Sequence, residues 1–402
     1  MIPEHRTSTA TLEVTGASGA PLAGTDVEVS LVSHEFGFGN IGFELLPLLG
    51  EGEPSPEARE FTERFTRVFN MATLPFYWGR YEPREGEPDH DRMERAARHL
   101  ASHGVHLKGH PLVWHTVQPD WLLGRPLEEV ERLLRARVRD ITSRFAGLVD
   151  HFDAINEVVI MPVFDNGDNA VTPLAAARGR VEMVRLAVDE ARAGNPAVKL
   201  VLNDFDLSER YEQLVEEVLS AGIRLDAIGL QTHMHQGYRG EEWVLDKVER
   251  FARFGLPLQF TETTLVSGDL MPPEIVDLND YQVPEWPTTP EGEQRQADEL
   301  ERHYRALFGH PAVESLTYWG LLDQGAWLGA PAGLVRLDGT VKPAYERLDQ
   351  LINHEWGFAP TTMRTDADGH LHLTGPAGRW RVSVDGREAQ FTLDGSPVAL
   401  TL

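Results

Sequence analysis

The 402-residue sequence contains no cysteine. Disulfide bridges and thiolate metal sites are therefore excluded, and the redox compartment stays open. No run of 18 apolar residues occurs, so no stretch reads as a membrane-spanning helix. Basic residues are few, 37 Lys and Arg against 63 Asp and Glu, giving a formal net charge of −26. That balance argues against nucleic acid and against an anionic membrane as partner. A glycine-rich phosphate loop is also lacking, because Gly37-Phe38-Gly39 misses the third glycine of a dinucleotide fingerprint. The first eight residues hold no apolar signal-type core. As given, the chain reads as cytoplasmic, or as secreted if a leader has been removed.

What is present, 41% hydrophobic residues, is enough for a large core and a second smaller one. Residues 7–32 and 360–402 carry short alternating runs separated by turn residues such as Asp368-Gly369, Asp385-Gly386 and Asp394-Gly395. Neither end makes a sandwich alone. Segments 1–32 and 358–402 are expected to combine into one β-sandwich, with two separate appendages as the alternative. Between them, over 33–357, the pattern changes to strand–helix alternation. Strands are expected at 36–40, 68–73, 105–109, 151–156, 199–203, 227–232, 258–261 and 315–319. Helices are expected at 56–68, 90–103, 127–145, 181–194, 208–221, 241–254, 292–308 and 342–354. Eight such units predict an α/β fold of the (β/α)8 TIM-barrel type rather than an open doubly wound sheet.

A barrel gathers the polar residues at the C-terminal ends of its strands on one face. Two apolar strands end in glutamates, Glu157 and Glu262. A carboxylate in such a place is costly to bury without partners. Strands four and seven lie nearly across the barrel from each other, and a carboxylate pair there suits glycoside hydrolysis. Around the pair the same reading places Lys108, His110, Trp114, Asn156, Asn203, Gln231, His233, Trp319 and Trp327. Indole faces suit the apolar faces of sugar rings. Bland readings compete: a structural Glu157 paired with an arginine, core histidines at His115 and His235, core tryptophans. His233-x-His235 is also a spacing that can bind metal, although metal-dependent barrel hydrolases carry such a pair on the first strand.

Taken in order, Lys108-Gly-His-Pro-Leu-Val-Trp-His115, Asp153-Ala-Ile-Asn-Glu157, Asn203-Asp204, Gln231-Thr-His233, Thr261-Glu262, and Tyr318-Trp-Gly320 with Trp327 resemble glycoside hydrolase family 10, the endo-β-1,4-xylanase family. The resemblance implies a retaining hydrolase that cleaves β-1,4-xylosidic bonds in xylan or xylo-oligosaccharides, needing neither metal nor organic cofactor. It implies Glu157 as general acid/base and Glu262 as nucleophile, with carboxylates about 5–5.5 Å apart. It makes Asn156 the partner of the sugar 2-hydroxyl and His233 the partner of the nucleophile. His110, Trp114, Gln231, Trp319 and Trp327 line the sugar site next to the cut, with Lys108 and Asn203 close by.

The sequence departs from the family after its second strand. The family's Glu-Asn-x-x-Lys, which grips the sugar one step further from the cut, is replaced by Thr73-Leu-Pro-Phe-Tyr-Trp-Gly-Arg80. Tyr77, Trp78 or Arg80 are candidates to replace that grip. The family's glutamine after Val-Trp-His is displaced to Gln118, and Phe152 stands where tryptophan is common. The 266–289 loop, with Tyr281 and Trp286, is a candidate to close the aglycone side. The expected partner is thus a β-linked oligo- or polysaccharide of xylan type. A β-glycosidase acting on a non-xylan glycoside and a non-catalytic carbohydrate-binding protein are the alternatives.

Overall fold

The computed structural model describes residues 2–402. Two strands come first, β1 (Thr7–Thr15) and β2 (Asp26–His34). Then follow β3 (Gly37–Ile41), α1 (Pro56–Val68), β4 (Met71–Pro75), α2 (Trp78–Tyr81), α3 (His90–Ser102) and β5 (His106–His110). The middle of the chain supplies α4 (Leu127–Arg144), β6 (His151–Asn156), α5 (Val171–Arg178), α6 (Arg180–Gly194), β7 (Lys199–Asp204) and α7 (Glu209–Ser220). Next come β8 (Ala227–Met234), α8 (Glu241–Ala252), β9 (Leu258–Leu265), α9 (Pro290–Phe308), β10 (Val313–Tyr318) and α10 (Pro343–Asp349). The chain ends in β11 (Thr361–Arg364), β12 (His370–Pro376), β13 (Gly378–Val384), β14 (Arg387–Leu393) and β15 (Val398–Thr401).

Strands β3 to β10 close into a barrel in the order β10-β3-β4-β5-β6-β7-β8-β9. All eight expected strands are found, shifted by a few residues at their ends. The strands are apolar runs because both faces are covered, by the barrel interior and by the helices; β9 is buried along its whole length. The seam that closes the barrel explains Gly37 and Gly39. A Cβ on Gly37 would lie 2.7 Å from Cβ of Ser315, and one on Gly39 would lie 2.7 Å from Oγ1 of Thr317. These glycines let β3 approach β10, a packing role and not a phosphate-binding one.

Helix positions were mostly readable from their periodicity and caps. Ser208 caps α7 through the Arg210 N–H. Three elements were not foreseen. Helix α5 is short and alanine-rich, with Pro173 in its first turn, so it lacks an amphipathic signature. Helix α2 is a single turn, and β11 has little apolar content. The last expected helix stops at Asp349 and continues to Glu355 as a wider π-turn.

The chain ends interleave in two sheets. One has the order β12-β1-β15, the other β11-β2-β13-β14. Each therefore has an N-terminal strand between C-terminal strands, and neither end completes a sheet alone. Alternation sends Leu12, Val14, Val27, Val29, Leu371, Trp380, Val382 and Leu393 into a shared core. Trp380 and Phe391 are inside it, so these aromatic faces are not offered to a sugar. Arg6 fastens the sandwich to the barrel. Its guanidinium donates to the carbonyls of Phe308 (3.1 Å), His310 (2.9 Å) and Val313 (2.5 Å), and lies 4.6 Å from the Phe36 ring centre.

Hydrogen bonds from a charged donor each contribute about 1.5–3 kcal/mol. Arg6→Ala should therefore lower the midpoint of a urea unfolding curve measurably. An unchanged midpoint would mean that the terminal sheets hang on the barrel without stabilising it.

Candidate active site

Glu157 follows the last residue of β6 and has a backbone φ of 56°. Left-handed φ in a non-glycine residue costs about 1–3 kcal/mol and persists only where the surroundings enforce it. Here the Glu157 N–H donates to the Asn203 carbonyl at 2.8 Å, and Asp204 accepts from the Val159 N–H at 3.0 Å. The turn is thus tied to the end of β7. Glu262 sits within β9, two strands beyond β7.

The carboxylates are joined by a chain of side-chain amides. Asn156 Nδ2 donates to Glu157 Oε1 at 3.0 Å. Asn203 Nδ2 donates to Asn156 Oδ1 at 2.8 Å and to Glu262 Oε1 at 2.9 Å. Thr261 Oγ1 fixes the other end of the Asn203 amide at 2.6 Å. Gln231 Nε2 donates to Asn156 Oδ1 at 3.0 Å and reaches Glu157 Oε1 at 3.5 Å. A Cβ on Gly229 would lie 2.6 Å from Asn203 Oδ1, so that glycine makes room for the bridge.

The two glutamates have different surroundings. Glu157 accepts from Trp114 Nε1 at 2.9 Å. Burial, and then the charge of Glu262, push its carboxyl up to about 8. Glu262 has His233 Nε2 3.1 Å from its Oε2 and His110 Nε2 3.9 Å from its Oε1. The other nitrogen of His233 shares a hydrogen bond with the Thr264 hydroxyl. Both nitrogens are therefore engaged within the protein. His110 donates through Nδ1 to Asp153 at 2.7 Å, and Asp153 also pairs with Lys108 at 2.7 Å. Burial pushes the Asp153 carboxyl up, but Lys108 and His110 outweigh it and hold it below the usual range. Lys108 thus acts from behind His110.

Aromatic rings line the rest. Trp319 meets His110 edge to face at 5.2 Å and His233 at 6.1 Å. Trp327, more than a third exposed, lies 4.9 Å from His233. Tyr77 contacts His110 and Trp114, each at 5.5 Å, and Arg80 stands 5.6 Å from its ring centre. Burial, then Glu262, raise the Tyr77 phenol well above its ordinary value.

Two sequence candidates lie apart from this group. Trp78 is buried beneath Tyr77; its Nε1 donates to Glu82 at 2.8 Å and its ring meets Trp121 at 5.7 Å. Trp286 donates to the Asp269 carbonyl and packs 4.9 Å from Tyr281 and 6.2 Å from His235. His115 and His235 are buried, and desolvation pulls them down to about 4 and about 3, so both are neutral at pH 7. Neither makes a hydrogen bond through its ring nitrogens among the described residues. Gln118 is fastened to the Ala170 N–H at 2.8 Å.

Asp153, Thr261, Thr264, Phe43 and Glu44 were not among the candidates. Asp153 had a signal, because a carboxylate in a strand buried on both faces demands a cationic partner, and Lys108 lies on the neighbouring strand. Phe43 and Glu44 follow β3 in a short 3-10 helix and had none. Among the described residues, three ligand atoms close enough to share a metal ion occur at the sandwich turn Asp366, Asp368 and His370, far in sequence from either glutamate.

Comparison with known proteins agrees with this geometry. The anti-sigma-I factor RsgI6 of Acetivibrio thermocellus is 26% identical over 95% of this chain and 45% of its own length. Endo-1,4-beta-xylanase C of Paenibacillus barcinonensis is 26% identical over 66% of this chain. The chain spans under half the length of the first relative and about a quarter (26%) of the second. A solved structure of a family 10 protein from P. barcinonensis shares the fold with a TM-score of 0.64 at 24% identity, covering 79% of this chain and 95% of that one. The family model of glycosyl hydrolase family 10 matches residues 54–350, well over half of the sequence, and the chain belongs to that family.

Proposed function

We propose that this protein is a retaining β-glycosidase that cleaves xylan-type β-1,4 linkages by double displacement. The observation that carries this reading is the amide bridge Glu157–Asn156–Asn203–Glu262, which holds two carboxylates in unlike surroundings at one cleft. Family membership supports the same chemistry, and the curated relatives include proteins named as endo-1,4-β-xylanases.

In the first step a Glu262 oxygen attacks the anomeric carbon. The glycosidic C–O bond breaks, and its electron pair goes to the leaving oxygen, which takes the proton held by Glu157. A glycosyl ester on Glu262 results. In the second step water attacks the same carbon, Glu157 accepts its proton, and the ester bond returns its electrons to Glu262. Two inversions give net retention. Burial suits Glu157 to the first step, since a carboxyl raised to about 8 is still protonated at neutral pH. His233 and Asn203 orient the attacking carboxylate, and Trp319 and Trp327 offer faces to the sugar.

Glu262→Ala should abolish turnover of aryl β-xylosides and xylo-oligosaccharides. Undiminished activity would overturn the mechanism, and binding of oligosaccharide without turnover by wild type would favour a non-catalytic receptor. Glu157→Ala should slow substrates with poor leaving groups by about 10²–10⁴-fold while sparing dinitrophenyl glycosides. The protonated form of Glu157 is the active one and is lost as pH rises through its folded value. The kcat/KM of wild type on xylo-oligosaccharides should therefore fall above about pH 8. The alkaline limb should vanish in Glu157→Ala assayed with a dinitrophenyl glycoside; a limb that persists there belongs to another group.

A further inference from the structure

The barrel order leaves two arcs between the glutamate-bearing strands. Strands β7 and β8 form one arc, and β10, β3, β4 and β5 form the other. A bond held between Glu157 and Glu262 therefore has one end over each arc. The glycone belongs on the side of the nucleophile. His110, on β5, approaches Glu262, and Trp319 and Tyr77 both pack on His110. The turn after Glu157, where the leaving group takes its proton, is instead tied to β7. The long arc thus receives the glycone.

That arc is closed by four rings in a cycle. Phe43 meets Tyr77 at 5.8 Å, Tyr77 meets His110 at 5.5 Å, His110 meets Trp319 at 5.2 Å, and Trp319 meets Phe43 at 5.5 Å. All four contacts are edge to face. Rings in direct contact have centres about 4.5–7 Å apart, so no pyranose fits between any adjacent pair. The cycle starts at the nucleophile, since His110 belongs to it.

The wall is fastened from outside. Glu44 accepts from the N–H groups of Leu321 (3.3 Å) and Leu322 (3.5 Å), tying the Phe43 turn to the loop beyond Trp319. Asn40 Oδ1 accepts from the Gly320 N–H at 3.1 Å. Arg137, buried in α4, donates to the Phe76 carbonyl and, at 2.6 Å, to the Leu112 carbonyl, below Tyr77 and Trp114. The Tyr77 hydroxyl makes no hydrogen bond among the described residues, which leaves it for a sugar hydroxyl.

We propose that the Phe43–Tyr77–His110–Trp319 wall limits the glycone site to one sugar, so that the enzyme removes single units from the non-reducing end of β-linked chains and glycosides, with Tyr77 as the specificity-determining residue. This rests on the assignment of Glu262 as nucleophile. The occupant is a terminal, unsubstituted pyranoside, and the chain or aglycone beyond it lies over β7 and β8.

The test uses wild-type enzyme with xylohexaose labelled at its reducing end, and with 4-nitrophenyl β-xyloside and β-xylobioside. The labelled chain should shorten one unit at a time with xylose as the small product, and the monoside should be the better aryl substrate. Tyr77→Ala should raise the bioside-to-monoside ratio of kcat/KM about tenfold or more. Tyr77→Phe keeps the wall, so it should preserve unit-by-unit release while raising KM. Early internal cuts by wild type, or a wild-type preference for the bioside, would overturn the proposal and leave the hydrolase reading intact. No turnover of any of these substrates, nor of 4-nitrophenyl β-glucoside, would overturn both. The wild-type product series decides the matter even if Tyr77→Ala fails to fold.

Discussion

Two carboxylates lie within the charge field of one another at the mouth of this barrel, Glu262 buried and Glu157 partly so. Ionising the two together is costly where the medium screens poorly. Much of the upper barrel can be understood as a response. Asn203 gives one N–H to Glu262 and another to Asn156, which passes an N–H on to Glu157. The bridge stabilises charge at one end and spaces the second carboxylate from it. It also fixes small features elsewhere: the missing side chain at Gly229, the Thr261 hydroxyl, and the left-handed backbone of Glu157. Replacing any of these would shift one carboxylate relative to the other.

A second layer deals with charge the same way. Asp153 sits inside β6 with Lys108 and His110 on β5, all buried. A buried ion pair seldom stabilises a fold by itself, because desolvation offsets the attraction. Its use here is geometric. The carboxylate accepts a hydrogen bond from His110 Nδ1, which holds the ring with Nε2 turned toward Glu262. Lys108 prevents Asp153 from adding another negative charge to the centre.

These features were legible in the sequence to different degrees, for physical reasons. The eight strands announced themselves because strands covered on both faces are mostly apolar, and their polar terminal residues stood out against that background. Glu157, Glu262, Asn156, Asn203, Gln231 and His233 were found this way, and the structure brings all six together. Trp78 could not be separated from Tyr77 by pattern alone. Adjacent residues in a short helical turn point in different directions, and nothing local says which one the barrel will bury. Phe43 and Glu44 were invisible because their partners, Trp319, Leu321 and Leu322, lie nearly the whole barrel away in sequence. The composite sandwich was suggested by incompleteness, two ends each short of strands, and β1 and β2 do lie between C-terminal strands.

The departures from the family pattern then take on a common meaning. The altered stretch 73–80 and the displaced Gln118 are separate in sequence, but the Gly79 N–H donates to the Val117 carbonyl at 2.7 Å. A Cβ on Gly79 would lie 2.7 Å from the Gln118 carbonyl oxygen. Val117 itself has a φ of 48°, a conformation that a β-branched residue adopts only under constraint. The loops after β4 and β5 are therefore one unit: the extra residue before Gln118 bends the backbone toward Gly79, and the glycine permits the approach. Tyr77 is set against His110 by that unit, and Gln118 is drawn out to α5. Glu157, Glu262 and the amides that bridge them stand on or just after β6 to β9, outside this unit. The aromatic cluster and the paired glutamates thus reside in different parts of one barrel, joined at His110, which meets Tyr77, Trp319 and Glu262.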